Sequence, residues 1–145
     1  MSSTTSVDFK MNPVEWPSGQ TNYVLAVSGV VTTSYEFSAS LTIEDSSSPK
    51  NSWPCNIAPV SGFTGFPAQI ITMQNVTFPI TISGSTTNNS SSAVQSTSNQ
   101  HGIGSKGNNG VPVCYQVSNF VNDGGSDNDF NDFVINFQLF CSSTD

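Results

Sequence analysis

The sequence predicts an all-β fold, an antiparallel β-sandwich of about seven to ten strands, and three observations carry this prediction. Only 9% of the 145 residues are charged and none is Arg, which is unlike a helical protein with solvated Glu and Lys faces. Apolar and polar residues alternate in several windows, and no window has a helical period. Ser, Thr, Asn and Gly fill the connections. We expect a single domain over residues 1–145, with a small barrel as the alternative fold.

The first half of the chain contains two clear strands. Tyr23–Val31 is almost continuously apolar, which is typical of a strand inside a sheet. Residues 35–45 alternate strictly between apolar and polar side chains, which predicts a half-buried strand. The next segment, residues 45–66, is rich in Pro, Ser and Gly, and we expect a loop with local turns there.

The middle of the chain holds weaker strand signals. Residues 69–73 predict a short strand. Residues 76–83 alternate as well, but Pro79 assigns this strand to a sheet edge or implies a bulge. Residues 84–110 are rich in Ser, Thr, Asn and Gly, so we expect a long exposed connection with at most one weak strand.

The last two predicted strands, residues 111–121 and 133–140, enclose an acidic segment. This segment, residues 122–132, reads N-D-G-G-S-D-N-D-F-N-D and contains four of the ten acidic residues. Carboxylates this close together repel one another unless a cation lies among them. Calcium prefers oxygen ligands, and the segment offers many of these without His or Cys. We therefore expect calcium ligands at Asp123, Asp127, Asp129, Asn131 and Asp132.

The acidic segment has two other interpretations. An EF-hand is excluded because its twelfth position, counted from Asp127, is Gln138 instead of a bidentate Glu. A solvated acidic turn is the other alternative, since Asp, Asn, Gly and Ser are also turn residues. The ordered D-x-D-x-N-D pattern, followed at once by an apolar strand, favours the ion site.

The run G-G-S-D-N-D-F-N-D, followed by F-V-I-N-F, resembles the calcium loop of the soluble bacterial calcium-dependent lectins that bind fucose and mannose. The resemblance is confined to this loop and the following strand. It implies an antiparallel β-sandwich in which two adjacent calcium ions share acidic ligands and coordinate sugar hydroxyls directly. Asp123 stands where the family has a Glu ligand, and Gly124 where it has an Asp that contacts sugar. The sugar-binding residues that the resemblance implies are Asp123, Ser126, Asp127, Asp129 and Asp132.

From this resemblance we expect a calcium-dependent carbohydrate-binding protein, a lectin. Its partners would be glycans or glycoproteins with fucose- or mannose-type sugars, and avidity would come from a homodimer or higher oligomer. The alternative is a β-domain with structural calcium that acts as a protein-binding adhesion or surface module. No enzyme is expected. The single histidine, His101, lies in a flexible Q-H-G-I-G stretch. The four clustered acids lie in a polar loop, whereas glycoside hydrolysis needs one carboxyl kept protonated in apolar surroundings.

Charge and composition narrow the partners further. The net charge is −7, with three Lys against ten acids, which disfavours nucleic acid and anionic membrane surfaces. No stretch is apolar enough to insert into a membrane and no signal peptide is visible, so we expect a soluble protein, cytoplasmic or secreted by a non-classical route. The cysteines fit no zinc spacing and leave two possibilities, one disulfide with a free thiol or three reduced thiols. They are Cys55, Cys114 and Cys141.

Overall fold

The computed structural model describes most of the backbone of this chain. Described are residues 3–12, 22–89, 95–106, 112–122 and 132–141, with side chains in residues 4–12, 22–89, 114–121 and 132–141. The described residues form nine β-strands and no helix, and the strands make two antiparallel sheets. The predicted all-β sandwich is confirmed.

The smaller sheet has four strands in the order β1-β6-β3-β4. Their bounds are β1 Ser3–Met11, β6 Ile80–Asn88, β3 Phe37–Glu44 and β4 Ser52–Val60. The larger sheet has five strands in the order β5-β2-β9-β8-β7. Their bounds are β5 Thr64–Met73, β2 Tyr23–Val31, β9 Phe133–Cys141, β8 Pro112–Asn122 and β7 Gln95–Lys106.

Aromatic contacts between the two sheets mark the centre of the core. Phe9 on β1 meets Phe137 on β9 edge to face, with ring centroids 5.4 Å apart. Phe37 on β3 lies 4.9 Å from Phe133 on β9 between ring centroids. Each buried Phe contributes about 1.5–3 kcal/mol relative to an exposed one, so these side chains are a main reason why the sheets stay packed.

Residues 45–66 are not a loop, and that prediction is wrong. They contain β4 and the beginning of β5 at Thr64. Cys55 and Ile57 alternate into the core with 1% and 3% exposure. Two prolines, Pro54 and Pro59, obscured the pattern, but β4 is an edge strand, where a missing backbone N–H is tolerated.

The strand predicted at residues 76–83 lies further along the chain and inside the sheet. Pro79 precedes β6, which begins at Ile80 and lies between β1 and β3. The proline therefore removes no hydrogen bond from the sheet, so it marks neither an edge nor a bulge. The inward positions of β6 end in Thr86 and Asn88, both buried. Because of these polar side chains, the sequence of the second half of β6 is typical of a loop.

Two strands carry weak sequence signals. β7 is a strand of 12 residues inside the predicted connection, and it pairs with β8 at the edge of the larger sheet. β1 was not predicted, although Val7, Phe9 and Met11 alternate and are buried against the core. The described part of the chain holds no helix of sufficient length and apolarity to span a bilayer.

The three cysteines are free thiols, which is the second of the two possibilities that the sequence left open. Burial raises the pKa of Cys55, Cys114 and Cys141 above the ordinary thiol value. They are consequently protonated at neutral pH, and a protonated thiol is a poor nucleophile.

Candidate functional site

The acidic segment, residues 122–132, joins two strands that pair with each other. Val121 near the end of β8 is the register partner of Phe133 at the start of β9. The chain therefore leaves and re-enters the larger sheet at neighbouring positions, and we call this end of the sandwich the acidic-segment end. Asp132 is the expected site residue that the structure describes. The others lie outside the described residues: Asp123, Ser126, Asp127, Asp129 and Asn131.

Asp132 is fixed by its backbone at the root of the segment. Its N–H donates a hydrogen bond to the Val121 carbonyl oxygen at 3.1 Å. Its own carbonyl oxygen accepts a hydrogen bond from the Thr32 N–H at 2.8 Å. The residue is only 7% exposed. Its backbone is thus held between β8 and the β2–β3 loop at the edge of rigid sheet.

Two further loops lie at the acidic-segment end. Val31, the last residue of β2, pairs with Phe133 on one side and with Thr64 on the other. Neighbouring strands lie about 4.8 Å apart, so Thr64 and Phe133 are separated by roughly 10 Å. The β2–β3 loop, residues 32–36, therefore begins near the start of β9, and the β4–β5 loop, residues 61–63, ends near it.

These two loops touch through their backbones at Gly62. A Cβ atom at this position would lie 2.0 Å from the Thr33 carbonyl oxygen and 2.7 Å from the Ser34 Cα. Only glycine permits such a close approach. Because the N–H of Thr32 also holds Asp132, the contact at Gly62 connects the β4–β5 loop to the root of the acidic segment.

Phe63, the residue after Gly62, is exposed and conformationally unusual. Its side chain is 74% exposed, and its φ of 59° lies in the left-handed region that large side chains avoid. Tyr35, in the β2–β3 loop, is 38% exposed at the same end. A backbone outlier that displays an aromatic ring to solvent is the kind of strain that clusters at binding sites.

A second carboxylate, Asp45, lies at the opposite end of the sandwich and is 3% exposed. Its Oδ1 accepts hydrogen bonds from the Ser47 N–H at 3.1 Å and the Asn51 N–H at 2.8 Å. Its Oδ2 accepts them from the Ser47 hydroxyl, Asn51 Nδ2 at 3.0 Å and the Thr77 N–H at 3.1 Å. Burial alone would raise the pKa of this carboxyl, but these hydrogen bonds outweigh burial and hold the pKa well below its usual range.

The Asp45 cluster is a structural clamp and not an ion site. Five donors direct their positive ends at the carboxylate, which satisfies its lone pairs and would repel a cation. The cluster ties the β3–β4 turn to the residues before β6. Within the described residues, no three His, Cys, Asp or Glu side chains are grouped as metal ligands would be.

Sequence reasoning overlooked both Asp45 and Phe63. Asp45 begins the run D-S-S-S-P-K-N, in which an Asp followed by small polar residues signals a side-chain-capped turn. Phe63 stands in S-G-F-T-G, where the S-G pair and the second glycine indicate a turn that contains the aromatic residue. No protein-family model matches the chain, and no curated protein matches it significantly. The resemblance to calcium-dependent lectins stays a prediction from the acidic segment.

Proposed function

We propose that this protein binds calcium through the acidic segment and uses the bound ion to bind carbohydrates. The observation that carries the proposal is the placement of Asp132, a buried acid whose backbone is held by β8 on one side and by Thr32 on the other. Three further Asp residues precede it within ten positions of the chain, between strands that pair with each other. Such clustered carboxylates on a rigid base suit a hard divalent cation.

The proposed ligands are all oxygen donors, as calcium requires. When bound, calcium supplies positive charge among the acids and open coordination positions for a vicinal diol. The carboxylates and the Ser126 hydroxyl would then exchange hydrogen bonds with the same sugar hydroxyls, and bonds to charged acceptors are stronger than neutral ones. The proposed calcium ligands, two ions being expected, are Asp123, Asp127, Asp129, Asn131 and Asp132.

Phe63 favours ligand recognition at this end over a purely structural ion. A left-handed conformation costs a residue of this size on the order of 1–3 kcal/mol, and an exposed ring gains little burial in return. The contact at Gly62 fixes the loop that carries the ring. The apolar C–H face of a sugar packs well on an aromatic ring, so the Phe63 ring would contact a sugar bound at this end of the sandwich.

Glycan binding measured with and without calcium tests the proposal. Fucose- and mannose-type glycans should bind in excess calcium, lose binding in EDTA, and regain it when calcium is restored. Titration calorimetry of calcium into the chelator-treated protein should show the ion binding before any sugar is added. Glycan binding that is undiminished by EDTA would refute the proposed mechanism.

The second candidate is a protein-binding surface module in which calcium is structural. The hydrogen bond between Thr32 and Asp132 favours this structural role. Through it, an ion bound in the segment would hold β2, β8 and β9 together. In that case calcium raises the melting temperature strongly, whereas sugars cause no shift at any calcium concentration. Under the lectin proposal a sugar adds a further shift, and light scattering should find a homodimer or higher oligomer that presents several sites.

A further inference from the structure

The edges of the two sheets meet along one side of the sandwich. β4 ends the smaller sheet, and β5 ends the larger one. Gln69 on β5 bridges this seam by donating a hydrogen bond from Nε2 to the Asn56 carbonyl oxygen on β4 at 2.6 Å. The bridge joins the two edges near the middle of the seam.

Towards the Asp45 end, the seam opens into a groove of about 490 Å³. We call it the seam groove. Its size lies within the roughly 300–1,000 Å³ of small-molecule sites. The lining residues lie at or just before the beginning of β4 and at or just after the end of β5: Asn51, Ser52, Trp53, Thr72, Gln74 and Asn75.

Hydrogen bonds hold the groove walls in place. Asn51 donates from Nδ2 to the Asp45 carboxylate and, at 3.1 Å, to the Asn75 carbonyl oxygen. The N–H of Asn75 donates to Asn22 Oδ1 at 3.3 Å. Asn75 has a left-handed φ of 57°, which Asn tolerates better than most residues. A wall that is fixed before binding loses little conformational entropy when a ligand enters.

The chemistry of the lining selects a neutral ligand rich in hydroxyl groups. Trp53 packs partly against the core and also lines the groove, so it offers an apolar platform in a fixed position. The other lining side chains are amides and hydroxyls, and none of the six carries a charge. An indole beside amides matches a sugar ring, whose C–H face is apolar and whose rim donates and accepts hydrogen bonds.

The sequences of β4 and β5 disfavour the main alternative ligand, an extended peptide. A peptide that adds to a sheet edge needs a continuous row of backbone donors and acceptors. Pro54 and Pro59 on β4 and Pro67 on β5 each remove a donor from these edges.

We propose that the seam groove is a saccharide-binding site that works without calcium, at the opposite end of the sandwich from the acidic segment.

Nuclear magnetic resonance in EDTA tests this site separately from the calcium site. The ¹⁵N-labelled protein is titrated with neutral mono- and oligosaccharides at millimolar concentrations. At least one saccharide should shift the indole N–H of Trp53 and the side-chain amide of Gln74, with the Trp53 signal assigned from a Trp53→Phe variant. Because the chelator removes calcium throughout, the outcome does not depend on whether the acidic segment binds sugar.

Variants complete the test. Trp53→Ala should weaken this binding about tenfold or more, since it removes the stacking platform, whereas Trp53→Phe should retain most of it. Gln74→Ala, which spares the core, provides a check if Trp53→Ala folds poorly. Tyr35→Ala, an exposed aromatic at the other end, should bind as the wild type does. The proposal is overturned if no saccharide shifts the Trp53 signal, or if Gln74→Ala and Trp53→Ala bind with unchanged affinity.

Discussion

The backbone N–H of Thr32 donates a 2.8 Å hydrogen bond to the carbonyl oxygen of Asp132, so the last acidic residue before β9 is held by the β2–β3 loop. Calcium binding at that residue should therefore be transmitted to β2 as well as to β8 and β9. This link makes the stability of the whole larger sheet a readout for the proposed ion site.

Asp132→Asn should weaken calcium binding at least about tenfold, because it removes one charged oxygen ligand and leaves the size of the side chain unchanged. Titration calorimetry measures the affinity, and the calcium-dependent rise in melting temperature should shrink in parallel. Asp8→Asn is the matched control, since Asp8 is exposed on β1 and loses the same charge. Wild-type calcium affinity in the Asp132 variant would remove this residue from the site.

Gly62→Ala should destabilise the protein by about 1–3 kcal/mol, because the added Cβ would meet the Thr33 carbonyl oxygen at 2.0 Å and the two loops must separate. Urea unfolding measures the change. Gly65→Ala is a close control, for its nearest atom is the Gly29 carbonyl oxygen at 3.3 Å, which needs only a small adjustment. Equal losses in the two variants would mean that the loops are not in tight contact.

Phe63→Gly should raise the free energy of unfolding by about 1 kcal/mol, since glycine adopts the φ of 59° without strain. The same change should weaken calcium-dependent glycan binding about tenfold, because the aromatic contact is lost. Tyr35→Gly, another exposed aromatic at this end, should lower stability instead. A gain in stability with unchanged glycan affinity would show that the ring has no part in binding.

Asp45 should make stability fall at low pH. The hydrogen bonds lower the pKa of its carboxyl in the folded state below the ordinary 3.8, so folding favours the ionised form. Its contribution is complete above about pH 3.8 and is lost as the pH falls below that value. Asp45→Asn should cost about 1–3 kcal/mol at neutral pH and flatten this acid dependence.

The control for Asp45 is Glu44→Gln. Glu44 is 38% exposed and lies 4.0 Å from the Lys50 ammonium, an arrangement that contributes little to stability. Chemical unfolding between neutral pH and about pH 2 distinguishes the two acids. Parallel curves for the wild type and Asp45→Asn below pH 3.8 would contradict the hydrogen-bonded clamp.

The sequence predicts those strands whose inward faces are apolar along their length. β2, β3 and β9 place residues such as Leu25, Leu41 and Phe137 in the core at every second position, and their alternation is visible without coordinates. β4 was missed because prolines interrupt its alternation, and half of β6 because Thr86 and Asn88 occupy inward positions. In both cases pairing in the sheet decides the conformation, and pairing partners lie far apart in sequence.

The candidate site, like the fold, has features that the local sequence predicts and features that depend on contacts between distant residues. Local composition suffices to predict a cluster of oxygen ligands such as Asp127 and Asp129, because calcium chemistry depends on residue type. It does not indicate that Thr32 and Gly62 support Asp132, since these contacts join three separate loops. The seam groove is harder still to predict, because Trp53 and Gln74 line one groove only where the edges of two different sheets come together.

Because Cys55 is buried, the reactivity of its thiol reports on local opening of the edge strand β4. Its side chain is 1% exposed on β4, and it lies next to Asn56, the partner of Gln69 in the bridge, and two residues from Trp53. A thiol reagent can reach this sulfur only while the edge strand is detached. The rate of Cys55 modification therefore measures how often β4 detaches at the seam. A saccharide bound against Trp53 should lower that rate.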